Sequence, residues 1–232
     1  MVWNVAGRFL AFFLAGLLLS AVLLFTAVEL VAFDLNHYME SYVRNQVSED
    51  TGIDMEGLEV VTLEIIDYMR CRQDELNPEV PVDGQPMHIF DQRERLHMVD
   101  VKNLFVAGKY IRNFGLLVLV SAAGVAIWKH KNWPALVSRL FTGTLFANLT
   151  VLALLVLGMV LDFTLLFDWF HFLLFDNDLW RLPETSFMLR MVPEVFFLRT
   201  ALKIGAIYLA MLIALTIAGK GWLRFSRNMQ QQ

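Results

Sequence analysis

Two histidines in this sequence have neighbours that could support proton-transfer chemistry. His97 lies in the charged stretch FDQRERLHMVDVK, residues 90–102, and Asp100 follows it by about one helical turn. His171 lies in a second, aromatic-rich stretch, and Asp168 precedes it by about one turn. Histidine is the side chain best suited to take and return a proton near neutral pH. The two stretches therefore predict an acid–base site, provided that the fold brings them to the same place.

The charged stretch also carries the signals of a helix start. Asp91 is suited to cap the first turn, and Glu94 three residues later completes a capping box. His97, Asp100 and Leu104 then recur at helical spacing and share one face. Two interpretations stay open at this point: a site at the water–lipid boundary, or a solvated helix start whose charges keep it in water.

The composition indicates an all-α polytopic membrane protein. Of the 232 residues, 57% are hydrophobic and only 18% are charged, and the mean hydropathy is +0.52. A soluble domain of this length has no core large enough to bury so much apolar surface. The basic residues are few and scattered, without a patch interleaved with aromatic residues, so no nucleic-acid partner is expected.

Four apolar runs predict transmembrane helices. The first predicted transmembrane helix lies within residues 1–33. Its uncharged run over residues 9–28 is long enough to cross the hydrocarbon core. Residues 104–232 hold the other three spans. These are expected from Leu104 to Trp128, from Arg139 to Leu161, and from Pro193 to Gly219.

The distribution of charge predicts which side of the membrane each loop faces. Residues 34–103 contain sixteen acidic side chains, whereas the loop with Lys129 and Lys131 and the C-terminal tail carry only basic charge. Lysine and arginine mark the cytoplasmic side of membrane proteins. We therefore expect a multi-pass plasma-membrane protein with both termini in the cytoplasm and a small extracellular cap over residues 34–103.

The cap is predicted to contain one helix and one hairpin. Asp54 is suited to cap a helix from Met55 to about Arg72. Asp83-Gly84, between two short extended pieces, predicts a tight hairpin turn. This segment is too short to be an independent enzyme.

The loop between the third and fourth spans, residues 162–192, is expected to lie in the membrane interface. Aromatic side chains gather at the level of the lipid headgroups, and this loop is rich in them. An interfacial belt explains most of these rings, and a buried histidine with a single hydrogen bond would explain His171. Because both histidine stretches are predicted at the same outer boundary, a shared site is the stronger interpretation. The aromatic residues are Phe163, Phe167, Trp169, Phe170, Phe172, Phe175 and Trp180.

Neither a metal nor another cofactor is expected from the sequence motifs. The sequence contains no H-x-x-x-H, H-E-x-x-H or cysteine pair, although a site of two histidines and an aspartate stays open. It also lacks the G-x-S-x-G motif of a nucleophilic serine, so a covalent acyl-enzyme is not indicated.

Three motifs together resemble the bacterial lipoprotein intramolecular transacylase family. One surrounds His97, the second surrounds His171, and the third opens the last span. Their order and spacing and the four-span layout with an outer cap all fit, so the likeness covers most of the chain. The motif residues are Phe90, Arg93, Glu94, His97, Met98, Asp100, Val101, Lys102, Phe170, His171, Phe172, Asn177, Trp180, Pro193, Glu194, Phe196 and Phe197.

The resemblance implies an acyl shift within one diacylated bacterial lipoprotein. The sn-2 acyl chain of the diacylglyceryl group would move to the α-amine of the lipidated N-terminal cysteine and leave a lyso-form product. His97 and His171 would be the catalytic residues, at the extracellular face of the membrane and in contact with membrane lipid.

Supporting roles for the other motif residues follow from the chemistry of this reaction. One histidine is expected to act as base and then as acid, while the other stabilises the tetrahedral intermediate. Asp100 is expected to orient His97, and Arg93 or Lys102 to bind carbonyl or peptide oxygens. The remaining supporting residues are Glu94 and Asn177, and the rings expected to enclose the folded substrate and exclude water, Phe170, Phe172, Phe175 and Trp180.

Two alternatives were weighed against this function. One is a non-enzymatic membrane sensor or scaffold, for which the histidines would be dispensable. The other is a metal-dependent membrane hydrolase, which would release free fatty acid.

Overall fold

The structure is a computed structural model that describes residues 5–130 and 132–230. Lys131, one of the basic residues used above to assign sidedness, lies outside the described residues. Nine helices and two strands are present in the described part of the chain. In order they are α1 Val5–Ala32, α2 Leu35–Arg44, α3 Val47–Thr51, α4 Met55–Met69, β1 Glu79–Val82, β2 Gln85–His88, α5 Gln92–Lys129, α6 Trp133–Leu161, α7 Phe163–Leu174, α8 Phe187–Met191 and α9 Glu194–Gln230.

Four of these helices, α1, α5, α6 and α9, are long and apolar enough to cross a bilayer. The chain is therefore a multi-pass membrane protein, as the composition predicts. Two of the helices begin earlier than the predicted spans: α5 at Gln92 instead of Leu104, and α6 at Trp133 instead of Arg139. The reason is that hydropathy marks where lipid begins, whereas charged residues such as glutamate and arginine continue a helix readily in water.

The described chain divides into two compact units. In the first, residues 5–28, 109–130, 132–157 and 204–230, polar side chains connect three helices. Asn148 donates from Nδ2 to Ser20 Oγ at 2.8 Å, and Tyr208 donates its hydroxyl to Asn148 Oδ1 at 2.7 Å. Such bonds fix helix packing where lipid offers no competing water.

The second unit, Glu29–Gly108 and Gly158–Lys203, contains both histidine stretches. Its core is an apolar cluster from α2, α4, β1, the start of α5, α8 and the start of α9. Within it Ile53, Leu58 and Val61 are fully buried. The loop between the third and fourth spans thus packs together with the predicted cap in one unit.

Local signals in the cap appear where the sequence predicts them. Asp54 Oδ1 accepts from the Gly57 amide at 2.8 Å and starts α4. The helix ends at Met69, before the expected Arg72, because Cys71 adopts a left-handed conformation with φ 57°. The Arg72 amide then donates back to Asp67 O at 2.9 Å and closes the helix end.

The two strands show that the described chain is mostly helical rather than entirely α. β1 and β2 pair antiparallel, with Val80 opposite Met87 and Val82 opposite Gln85. The connecting Asp83-Gly84 has positive φ at both residues, 49° and 80°. This is the turn whose twist matches a two-residue hairpin, so the predicted hairpin is confirmed.

The loop between the third and fourth spans is itself largely helical. Asp162 Oδ1 accepts from the Leu165 amide at 2.9 Å and caps α7, and Ser186 Oγ accepts from the Leu189 amide at 3.2 Å at the start of α8. Between them the segment 175–186 has no regular structure. α7 leaves large apolar side chains exposed, among them Trp169 at 66% and Leu173 at 83%.

Candidate active site

The capping box predicted at the start of α5 is present. The Glu94 amide donates to Asp91 Oδ1 at 2.8 Å, and the Asp91 amide donates to Glu94 Oε2 at 2.7 Å. These two bonds satisfy backbone donors that a helix start would otherwise leave unpaired. They also fix the orientation of the helical turn that carries His97.

Glu94 has a second role that the sequence did not indicate. Its side chain is 2% exposed, and its Oε1 accepts from Ser186 Oγ at 2.5 Å and from the Met188 amide at 3.0 Å. Glu94 therefore ties the start of α8 to the first turn of α5. A buried carboxylate is tolerated here because donors occupy both of its oxygens.

His171 is oriented by its own helix. Its Nδ1 lies 2.7 Å from Phe167 O, the carbonyl one turn earlier in α7. Because a carbonyl oxygen can only accept, Nδ1 carries the hydrogen and donates it. In the neutral ring Nε2 then keeps the lone pair and can accept a proton.

Burial lowers the pKa of His171 below the ordinary histidine value. Desolvation of the charged ring is the largest cause; the hydrogen bond to Phe167 O and the charge of Asp168 act in the opposite direction and are smaller. The ring is therefore neutral at physiological pH, which is the protonation state that a general base needs.

Four aromatic rings surround His171. Trp180 stacks on the imidazole with ring centroids 4.6 Å apart, and Phe167 lies at 4.2 Å. Phe170 meets the imidazole edge-on at 5.4 Å, and Phe175 lies at 5.7 Å. The result is a ring-lined site with few groups that could retain water.

The structure brings His97 and His171 together. Their ring centroids are 6.4 Å apart, and Phe175 lies edge-on to His97 at 5.4 Å. Both side chains are buried, with 9% and 7% exposure. The two imidazoles are therefore close enough to act on one bound group.

Two buried nitrogens on this face of α5 lack a hydrogen-bond partner among the described residues: Arg93 Nε and His97 Nδ1. The residues are four apart, so their side chains share one face of the helix. Buried polar atoms in proteins are nearly always paired, and unpaired ones call for an explanation. A bound group with acceptor oxygens would satisfy the arginine.

Asp100 has a different partner from the one expected. Its Oδ2 accepts from Asn177 Nδ2 at 2.9 Å, and Asn177 Oδ1 in turn accepts from the Leu179 amide at 3.0 Å. Asp100 thus holds the irregular segment 175–186 rather than orienting His97. Asp100 is on the same face of α5 as His97, and the segment containing Asn177 packs on that face. The carboxylate therefore accepts its hydrogen bond from this segment.

Arg93 also anchors this segment. One of its terminal nitrogens donates to Asp178 O and lies 3.6 Å from Asp178 Oδ1. Lys102 by contrast is engaged elsewhere: its Nζ lies 4.1 Å above the Tyr68 ring and donates to Gln73 O at 3.2 Å. Two cations were expected to bind substrate oxygens. Arg93 lies on the same face of α5 as His97, whereas Lys102 stabilises the cap.

The remaining predicted ring, Phe172, lies at the edge of the site. Phe172 packs edge-on against Trp180 at 5.5 Å, and Arg181 lies over both rings, 5.3 Å and 5.0 Å from their centroids. From the sequence Phe167 was identified only as one of the interfacial rings, not as a partner of His171, and Ser186 was not identified. Phe167 precedes His171 by one helical turn, a spacing that could have identified it, whereas no local signal connects Ser186 with Glu94.

No cluster of three or more histidine, cysteine, aspartate or glutamate side chains suited to a metal occurs within residues 5–130 and 132–230. The two histidines and their surroundings are instead suited to move a proton in a site with little water. Ester, amide and acyl-transfer chemistry all require such a step.

Comparisons with known proteins identify similar proteins at the levels of sequence and fold. The profile of one family, described as lipoprotein intramolecular transacylase Lit, matches residues 13–197. A comparison with curated protein sequences finds no match.

Solved structures of the membrane-integral lipoprotein intramolecular transacylase Lit from Bacillus cereus have a similar fold. One shares 20% identity over 96% of both chains, with a TM-score of 0.73. A variant with a histidine-to-alanine mutation shares 20% identity over 98% of this chain and 100% of that chain, with a TM-score of 0.71. A histidine-to-arginine variant shares 19% identity over 98% and 97%, with a TM-score of 0.68.

Proposed function

Because the chain belongs to the lipoprotein intramolecular transacylase family, we propose that it transfers an acyl chain within a diacylated lipoprotein. The sn-2 acyl group of the diacylglyceryl moiety moves to the α-amine of the N-terminal cysteine that carries it. The products of this shift are an amide and a free sn-2 hydroxyl on the same molecule, which is the lyso-form lipoprotein.

One observation carries this proposal: two buried histidine rings with centroids 6.4 Å apart, inside an aromatic enclosure. In the reaction the amine nitrogen attacks the ester carbon and loses a proton, and the bond from that carbon to the sn-2 oxygen breaks. The departing oxygen then gains a proton. A single positioned base that returns its proton as an acid balances both steps.

We assign the base to His171. Its Nδ1–H is held by Phe167 O, which leaves Nε2 free to take the proton from the amine. Its lowered pKa keeps the ring neutral before the reaction. Once protonated, the same Nε2 can donate to the sn-2 oxygen as the ester bond breaks.

His97 and Arg93 are then suited to stabilise the tetrahedral intermediate. Arg93 Nε is a buried donor whose partner is missing in the described structure, and it shares a helix face with His97. Negative charge that develops on the ester oxygen would be stabilised by such fixed donors in a site of low dielectric constant. Such donors lower the barrier most when they are already in position and need not reorganise during the reaction.

Folding of the substrate is the other requirement. The attack closes a ring of roughly eight atoms, so holding the substrate in that conformation removes a large entropic part of the barrier. Phe175 packs against both histidines and Trp180 stacks on His171, where the two rings would pack against the folded headgroup. These rings would also keep out water, which would otherwise hydrolyse the ester.

The distribution of charge supports a reaction at the outer face of the plasma membrane. The acidic segment 34–103 faces outwards and both termini face the cytoplasm if lysine and arginine mark the inner side. Cysteine accessibility labelling in intact cells tests this orientation, with the exposed native Cys71 as an outward reporter. Labelling of Cys71 only after permeabilisation would reverse the assignment.

Mass spectrometry of the N-terminal peptide of a lipoprotein tests the function. Cells with the wild-type protein should contain the lyso form, and His97→Ala and His171→Ala should each abolish it. His88→Ala is the matched control, because His88 is exposed on β2. Lyso-form production by either catalytic variant would refute the proposal.

The alternative function, a metal-dependent hydrolase, is tested in vitro. With the purified enzyme, a chelator should leave conversion unchanged and no free fatty acid should appear. Fatty acid release that a chelator stops would favour the hydrolase.

A further inference from the structure

Arg181 holds two aromatic rings at the edge of the histidine site. Its guanidinium carbon lies 5.0 Å from the centroid of the Trp180 ring and 5.3 Å from that of Phe172. The two rings meet edge-on at 5.5 Å. A guanidinium within about 6 Å of a ring centroid is attracted by the π-electrons of that ring. Arg181 therefore helps to fix both rings relative to each other.

No carboxylate competes with the rings for this guanidinium. Within residues 5–130 and 132–230, Arg93 is paired with Asp178 and Arg190 with Asp50, whereas Arg181 has no carboxylate within ion-pair distance. The side chain of Arg181 is exposed, so burial of its charge costs little. The attraction to the rings is the electrostatic contact that the structure gives to this arginine.

The indole of Trp180 needs such a contact because it lies in the irregular segment 175–186. The Arg181 amide donates to Asp178 O at 3.1 Å, which fixes the backbone of the turn but not the rotation of the Trp180 side chain. The orientation of the indole therefore depends on the side chains that contact it.

Trp180 in turn connects Arg181 with His171. The indole and imidazole rings are stacked, with centroids 4.6 Å apart and planes 25° apart. Arg181 is exposed, Trp180 is half-buried and His171 is buried. This chain of contacts leads from solvent to the imidazole, so a displaced indole would let water approach one side of that ring.

We infer that Arg181 is a positioning residue that keeps Trp180 on His171 and thereby selects the amine, rather than water, as the nucleophile. The inference rests on the proposed function, in which His171 takes the proton of the nucleophile. If water reacted, its oxygen would bond to the ester carbon and the bond from that carbon to the sn-2 oxygen would break. One proton of the water would pass through His171 to the sn-2 oxygen. The products would be a free fatty acid and a lyso-lipoprotein whose α-amine is not acylated.

Arginine suits this role better than lysine does. Its planar guanidinium is weakly hydrated and stacks on aromatic faces, whereas an ammonium group is compact and strongly hydrated. Glutamine is neutral and would not attract the rings as a cation does. Because exposed cation–π contacts are weak, loss of the charge should change the product ratio by about fivefold.

The product ratio tests the inference with the full-length protein in phosphatidylcholine vesicles. The substrate is S-dipalmitoylglyceryl-cysteine followed by a short polar peptide, and mass spectrometry measures N-palmitoylated product and free palmitate in the presence of a chelator. Arg181→Gln should raise the ratio of palmitate to N-palmitoylated product about fivefold above the wild-type level, with KM unchanged. Arg181→Lys, which keeps a cation, should raise the ratio less.

The pH profile gives a second measurement. Burial lowers the pKa of His171 below 6.5, and water admitted beside the ring would raise that pKa towards 6.5. The decline of the amide-forming rate on the acid side should therefore move to higher pH in Arg181→Gln. An unchanged midpoint would contradict entry of water at His171.

A double-mutant cycle and a matched arginine show whether the effect passes through Trp180. In the Trp180→Ala background, Arg181→Gln should change the product ratio by less than about twofold, because the indole that it holds is absent. Arg70→Gln is the control. Arg70 is also exposed, and its guanidinium lies 4.8 Å from the Phe33 ring in the same unit. This variant should keep the wild-type ratio.

Three results would overturn the inference alone. They are an unchanged ratio in Arg181→Gln, with or without a raised KM; an equal rise in Arg70→Gln; and independent effects of Arg181→Gln and Trp180→Ala. Failure of the wild type to form any N-palmitoylated product would instead refute the proposed acyl transfer, and the inference would then fail with it.

Discussion

Glu94→Ala should lower the free energy of unfolding far more than loss of an exposed carboxylate would. The side chain is 2% exposed and accepts from the Asp91 amide at 2.7 Å, from Ser186 Oγ at 2.5 Å and from the Met188 amide at 3.0 Å. Alanine would leave all three donors without their acceptor. It would also release the start of α8 from the helix that carries His97.

The expected magnitude follows from the burial of those donors. Asp91 lies at an exposed helix start, where water can replace the carboxylate. The Ser186 hydroxyl and the Met188 amide are buried, and each unpaired buried donor costs about 2 kcal/mol, so the total is about 4 kcal/mol. Glu94→Gln keeps one acceptor oxygen and should cost about half as much.

Denaturant unfolding in detergent micelles measures these changes, with the acyl-transfer rate followed in parallel. Glu59→Ala is the control, because Glu59 is exposed on α4, and it should stay within about 0.5 kcal/mol of wild type. A double-mutant cycle that combines Glu94→Ala with Ser186→Ala isolates the hydrogen bond between these two side chains. It should give a coupling free energy of about 2 kcal/mol. A loss below about 1 kcal/mol for Glu94→Ala, or an additive cycle, would refute this account of the buried carboxylate.

The other predictions concern the histidine pair and the segment over it. Since burial lowers the pKa of His171 below the ordinary value of 6.5, the decline of the single-turnover rate on the acid side should be centred below pH 6.5. A decline centred above 6.5 would contradict this. Asn177→Asp would place a second carboxylate against Asp100 and should lower the acyl-transfer rate about tenfold. Asp100→Asn keeps a neutral hydrogen bond to Asn177 and should lower the rate less. Equal rates for the two variants would argue against a role for the Asp100–Asn177 hydrogen bond. Trp180→Ala removes the ring stacked on His171 at 4.6 Å and should lower kcat by up to about tenfold, with Trp180→Phe intermediate in the same assay. Equal kcat for the alanine and phenylalanine variants would show that stacking does not position the imidazole.

These predictions share one structural feature: the start of α5 holds the segment that covers the histidines. Arg93 binds Asp178, Glu94 binds Ser186, and Asp100 binds Asn177. Three side chains of one short helical segment thus fix 175–188 on the face that carries His97. The charges that could have been a solvated helix start are therefore used for packing as well as for the proposed chemistry.

Features that depend on a few neighbouring residues could be predicted from the sequence. The Asp91–Glu94 capping box, the Asp54 cap and the Asp83-Gly84 turn are confirmed, because their hydrogen bonds and φ angles are set within three or four residues. The four membrane helices could be predicted for a similar reason, since apolar runs of this length are stable only in lipid.

Features that depend on distant residues required the tertiary structure. Sequence spacing placed a carboxylate near each histidine, yet Asp100 binds Asn177 and His171 Nδ1 binds Phe167 O. Glu94 and Ser186 are 92 positions apart, and no local pattern reports such a pair. The residue types and helical faces were determined by the sequence itself. Which side chains meet was decided by how α7 and the segment after it pack against α5, because a hydrogen bond depends on distances that spacing along the chain does not contain.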